Sequence, residues 1–170
     1  MGTLIIISVS AVGVLGWRLF RSVEVAQDTR LAGALGVAFL LIGSLMGLAI
    51  SVHGSIVMLS GVGTPSMVGA APMKFPHAVA LHALQVLPMI GWLLSHTTLA
   101  VGVRARLIGR SAIGYGLLFV AALVQMLLGH APRDPAFAAL GIAALGVVLL
   151  ASPLVHLFTA GSAARLSEAH

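Results

Sequence analysis

Residues 76–96 read PHAVALHALQVLPMIGWLLSH. At about 1.5 Å per residue, this run reaches across the roughly 30 Å hydrocarbon core of a bilayer. It nevertheless carries His77, His82, Gln85 and His96, with Pro88 near its middle. A polar side chain at bilayer depth is unfavourable unless it finds a partner or a ligand. Each helical residue advances about 100° around the axis. His82 and His96 therefore share a face to within about 40° and stand about 21 Å apart along the axis. Gln85 lies between them on the same side, and His77 points about 140° away from His82. One face of this helix thus offers an imidazole near each end of a membrane span. Pro88 cannot donate to the Leu84 carbonyl, which predicts a bend beside His82 and Gln85.

The rest of the chain suits that setting. Of 170 residues, 59% are hydrophobic and only 8% are charged, with a mean hydropathy of +1.12. A soluble domain of this length carries about a quarter charged residues. So few charges cannot cover a water-facing surface, and the composition predicts an all-α, polytopic membrane helix bundle forming a single domain over residues 1–170. The net charge of +5 does not point to nucleic acid, because the basic residues sit between apolar runs, where they orient helices. Cysteine is absent. This chain therefore supplies no disulfide, thiolate metal site, iron–sulfur ligand or covalent haem attachment.

Five transmembrane helices are legible, at about residues 3–17, 31–52, 77–101, 111–129 and 135–158. The first run lacks basic residues before it and is followed by Arg18 and Arg21, so it reads as an uncleaved anchor. Arg18, Arg21, Arg30, Arg104, Arg106, Arg110 and Arg165 fall on one side of such a bundle, and only Lys74 and Arg133 on the other. By the positive-inside rule the N-terminus is outside and the C-terminus cytoplasmic. Gly36, Gly43 and Gly47 stripe the second span, and the reading is ordinary close packing of helices within the chain. The longest connection, residues 54–76, contains Ile56, Val57, Met58, Leu59, Val68 and Phe75. That much apolar surface predicts a lid-like outer loop folded over the bundle.

This topology sorts the polar groups into two layers. His53, His77, His82, Gln85, Gln125, His130 and Asp134 fall in the outer one; His96 and His156 fall in the inner one. Four readings fit them. In the first, the bundle holds haem b: iron takes axial imidazoles from facing helices between apolar walls. His82 and His96 would serve one haem in each leaflet, with His53 or His130 completing the outer site and His156 the inner. In the second, His53, His77 and His82, with His130, hold another metal centre such as copper or zinc. Met58, Met67 and Met73 would add thioethers in a copper-handling protein, although methionine also fills irregular apolar gaps. In the third, the histidines and Gln85 form a proton or quinone site. In the fourth, the chain is a cofactor-free accessory or structural subunit whose polar groups bond to backbone, lipid headgroups or a partner.

Two resemblances bear on these readings. The helix with His82 and His96 resembles the two-histidine helix of membrane cytochromes b, which implies two stacked haems. The run His77-Ala-Val-Ala-Leu-His82-Ala-Leu-Gln85-Val-Leu-Pro88 resembles a His-x4-His-x2-Gln-x2-Pro helix in uncharacterised bacterial multi-pass membrane proteins. There too a histidine follows the preceding span, where His53 stands here. The match covers about a quarter of the chain. It implies no known activity, but it implies a bacterial plasma membrane and an outer site made by His53, His77, His82 and Gln85. Members of that group carry acidic residues in the outer loop, whereas residues 54–76 contain none.

No His-Glu-x-x-His pair, Gly-x-Ser-x-Gly elbow or phosphate-binding glycine loop occurs. The four carboxylates, Glu24, Asp28, Asp134 and Glu168, all read as loop or tail residues, which disfavours paired-carboxylate catalysis and cation transport. The chain is expected to be at most an electron-transfer subunit. The leading expectation is haem b or another metal centre in the outer leaflet, within a redox or energy-converting complex that includes other membrane subunits. In a photosynthetic assembly the same imidazoles would ligate a chlorophyll-type pigment.

Overall fold

The computed structural model describes residues 2–21, 25–61, 70–131 and 133–167. They form five helices: α1 (Gly2–Arg21), α2 (Gln27–Leu59), α3 (Ala70–Ser95), α4 (Val101–Leu127) and α5 (Phe137–Ser167). Among the described residues there is no strand. Four of the helices, α2 to α5, are long and apolar enough to cross a bilayer. Their outward surfaces are apolar: Leu45 is 68% exposed, Val148 66% and Phe137 94%. Such a surface is expected where the solvent is lipid rather than water.

The helices extend beyond the spans read from the sequence. Residues 54–59, expected in a lid-like loop, complete α2, and α3 already begins at Ala70. The serines near the end of this helix are satisfied within it. Ser51 and Ser55 each donate to the carbonyl one turn back, Gly47 O and Ser51 O, both at 2.9 Å. Residues 62–69 of that loop, including Met67 and Val68, lie outside the described residues. Arg104, Arg106 and Arg110 occupy the first turns of α4 rather than a connection, where arginine's high helix propensity suits them. Two helices end on a glycine of positive φ, Gly61 at 69° and Gly129 at 72°, the left-handed closure that a residue without Cβ adopts at little cost.

α2 packs along α3, α4 along α5, and the two hairpins meet chiefly through α3 and α4; α1 packs on α2. α3 and α5 make only slight contact. Small residues allow the close pairings. A Cβ at Gly36 would lie 3.1 Å from Leu84 Cα, and one at Gly43 3.1 Å from Ala80 Cβ. The glycine stripe of α2 therefore serves packing within the chain. At the α4–α5 contact a Cβ at Gly114 would lie 2.5 Å from Leu150 N and 2.6 Å from Gly146 O. The buried centre is correspondingly modest in side-chain size: Ala83, Leu87, Ala112 and Tyr115 form one cluster, and Ala32, Ile90, Leu94, Leu107 and Ile108 another.

One carboxylate departs from the expected pattern. Asp28 lies in the first turn of α2 and is fully buried. Its Oδ2 accepts from Arg104 Nε at 2.6 Å, and Arg104 Nη1 also donates to Leu99 O at 3.2 Å. This clamp ties the start of α2 to the α3–α4 connection. A buried carboxylate needs such a partner, and its place at a helix N-terminus adds favourable dipole interaction.

Candidate ligand chamber between α3, α4 and α5

Because α3 and α5 stay apart, α4 becomes the floor of a cleft between them. At the end of the bundle that carries His77, the cleft widens into a chamber of about 450 Å³. Its walls include Val79, Ala122 and Leu140, with His82, Tyr115 and Gln125 as the polar members. Two of those three are already satisfied. The Tyr115 hydroxyl donates to Val79 O at 2.6 Å, using the second lone pair that a helical carbonyl retains, and the ring meets Phe39 edge-on at 5.5 Å. Gln125, 3% exposed, organises the α4–α5 turn. Its Nε2 donates to Ala131 O at 2.7 Å and Asp134 O at 3.0 Å, and its Oε1 accepts from Ala136 N at 2.9 Å. Tyr115 and Gln125 therefore shape the chamber and leave its chemistry to His82.

His82 is exposed at the rim. Its Nδ1 donates to Gln85 Oε1, one turn on, at 2.9 Å. Since an amide oxygen can only accept, Nδ1 carries a proton in this arrangement, and in the neutral ring the lone pair is then on Nε2. The pair works as a metal-ligating histidine and its outer-shell carbonyl do: the partner fixes tautomer and ring orientation and leaves the other nitrogen basic. The ring can therefore accept a hydrogen bond or ligate a metal through Nε2. α3 itself continues as one helix through Pro76 and Pro88.

The remaining candidates are dispersed. His77 turns away to α2, where its Nδ1 donates to Gly43 O at 2.7 Å and its ring fills the space a Cβ on Gly47 would need, 2.8 Å from Cε1. His53 is half-buried on α2. Among the described residues, no group of three or more His, Cys, Asp or Glu side chains is placed to hold a metal ion, so His53, His77 and His82 are not brought together as one. His130 sits on the α4–α5 turn with Nδ1 3.5 Å from Asp134 Oδ2, both side chains exposed. His96, just past α3, donates from Nδ1 to Trp92 O at 2.8 Å, with its ring against the indole at 4.7 Å. His156 is exposed on α5. Among the described lining residues of the chamber, His82 is the one imidazole.

Tyr115 and the Asp28–Arg104 clamp escaped the sequence reading. Tyr115 carried a signal, because it is the chain's single tyrosine and stands in an apolar span where its hydroxyl must find an acceptor. Asp28 carried none, since its partner lies 76 positions away. No protein-family model, curated protein or solved structure matches this chain.

Proposed function

We propose that the protein is a multi-pass membrane protein of a bacterial plasma membrane, with its N-terminus outside and its chamber in the outer half. We propose further that it serves a redox or energy-converting assembly by binding a lipid-soluble, ring-bearing hydroxyl compound of the quinol class. One observation carries this reading: the His82 imidazole, hydrogen-bonded through Nδ1 to Gln85, stands at the rim of an apolar chamber, and in its neutral form such a ring has its lone pair on Nε2. A lone pair selects a donor. A quinol hydroxyl satisfies it. The chamber volume of about 450 Å³ falls within the roughly 300–1,000 Å³ of small-molecule sites, and its walls suit an apolar ring.

The same lone pair favours a second reading, haem b. His82 Nε2 would supply one axial ligand, and Val79, Ala122 and Leu140 the apolar walls. A second imidazole is not among the chamber's described lining residues, so a bis-histidine haem would need its other ligand from a neighbouring subunit. When bound, haem supplies one-electron chemistry.

The purified protein separates the two. Under the quinol reading it is colourless, and a benzoquinol titrated into lipid nanodiscs holding the full chain binds at one site and fails to bind the His82→Ala variant. A Soret band that shifts on reduction and disappears in His82→Ala establishes haem instead. A colourless protein whose benzoquinol binding is absent, or unchanged by His82→Ala, contradicts both and leaves the chain as an accessory subunit.

A further inference from the structure

We infer that the ligand has a long apolar tail, and that this tail lies in a second cavity continuing the chamber along α3 and α5. The inference rests on the reading that His82 holds the ligand's head. The second cavity has a volume of about 230 Å³ and is lined by Val86, Ile90 and Leu93 of α3 and by Val147, Ala151 and Leu154 of α5. These are the next turns of the stripes that line the chamber, Val79 and His82 on α3 and Leu140 and Ala143 on α5. On this inference the two cavities are successive widenings of one cleft. From Phe75 to Leu94, its outermost lining residues on α3, the cleft runs about 28 Å at 1.5 Å per residue, close to the roughly 30 Å of a hydrocarbon core.

The cleft is polarised in shape and in chemistry. It is about 450 Å³ at the end that bears His82 and about 230 Å³ at the other, room for a ring at the first and for a chain at the second. The lining of the smaller cavity is apolar throughout. A tail there gives up no hydrogen bond and gains dispersion contacts on two sides, because α3 and α5 make only slight contact and leave the space between them unfilled. A compact ring alone leaves that space to whatever lipid chain drifts in. A prenyl- or alkyl-tailed quinol fills head and tail sites together.

The test compares benzoquinols bearing no tail, a decyl tail and a long isoprenoid tail, titrated into phosphatidylcholine nanodiscs holding the full chain. Ala151→Phe narrows the smaller cavity, and Val147→Trp, at a half-exposed position, does so where the fold tolerates bulk. The inference expects either variant to weaken both tailed compounds about tenfold or more, a free-energy change above about 1.4 kcal/mol. Binding of the tail-less ring stays as it was. Comparing variants at fixed tail length removes the contribution of partitioning into the bilayer. If both variants bind tailed and tail-less compounds as the parent does, while His82→Ala still abolishes binding, the tail site is overturned and the head site stands. If the parent binds none of the three, or His82→Ala changes nothing, the head site fails and the tail site with it.

Discussion

Two histidines five positions apart on α3 illustrate how much a single partner decides. His77 and His82 have the same side chain and stand about 7.5 Å apart along the axis, yet one is a strut and the other a candidate ligand-binding group. His77 gives its Nδ1 proton to the Gly43 carbonyl across the α2–α3 contact. His82 gives its own to Gln85 on the same helix, and its ring stands at the chamber rim. The angular separation of about 140° was legible from spacing alone, and so was the pairing of His82 with Gln85 on one side of the helix. What Gly43 would do was not, because a backbone acceptor leaves no mark in a sequence. His77→Ala is expected to lower stability by about 1–2 kcal/mol, the net value of one buried hydrogen bond together with some lost packing. Ligand binding through His82 should be unaffected. Unfolding in mixed micelles, read beside a binding titration, checks both parts, and loss of binding without loss of stability would restore His77 as a ligand.

Pairs of helices are held by two different devices. α4 and α5 meet where neither has a side chain. The groups nearest a Cβ on Gly114 would be backbone, Leu150 N at 2.5 Å and Gly146 O at 2.6 Å, and backbone cannot rotate aside. Gly114→Ala is therefore expected to cost about 1–3 kcal/mol, the usual penalty of overpacking. Gly141→Ala, on the same helix pair with nothing within 4 Å, should be neutral or slightly stabilising, and chemical unfolding of the two variants makes the comparison. α2 is fastened to the start of α4 by Asp28 and Arg104. Removing either partner alone leaves a buried, unpaired group and should cost about 3–5 kcal/mol. Asp28→Leu with Arg104→Leu together should cost less than the sum of the two, which a double-mutant cycle reads directly. The helices themselves were legible in the apolar runs. Their ends were not, because a serine that bonds one turn back, as Ser55 does, and arginines at the start of α4 leave no mark of the helix that holds them.

At the level of the whole molecule, the apolar exterior of four long helices and the uneven placement of arginine lead to one proposed orientation. Lys74, the chain's single lysine, is exposed on the first turns of α3 and is expected outside. In intact cells a membrane-impermeant amine reagent should label it, and Lys74→Arg should remove that label; labelling only after the membrane is opened would invert the topology. A cleft between α3 and α5 was not foreseeable from periodicity, since it arises from two helices that make only slight contact, and each taken alone is an ordinary apolar span. The central claim is that His82 meets the ligand through Nε2. The most direct measurement is the ¹⁵N spectrum of the His82 imidazole in lipid nanodiscs, recorded before and after addition of a benzoquinol. The account predicts a proton on Nδ1 from the outset, with the Nε2 resonance moving on addition while the Nδ1 resonance stays in place. A ring protonated at Nε2, or two resonances that ignore the ligand, would contradict it.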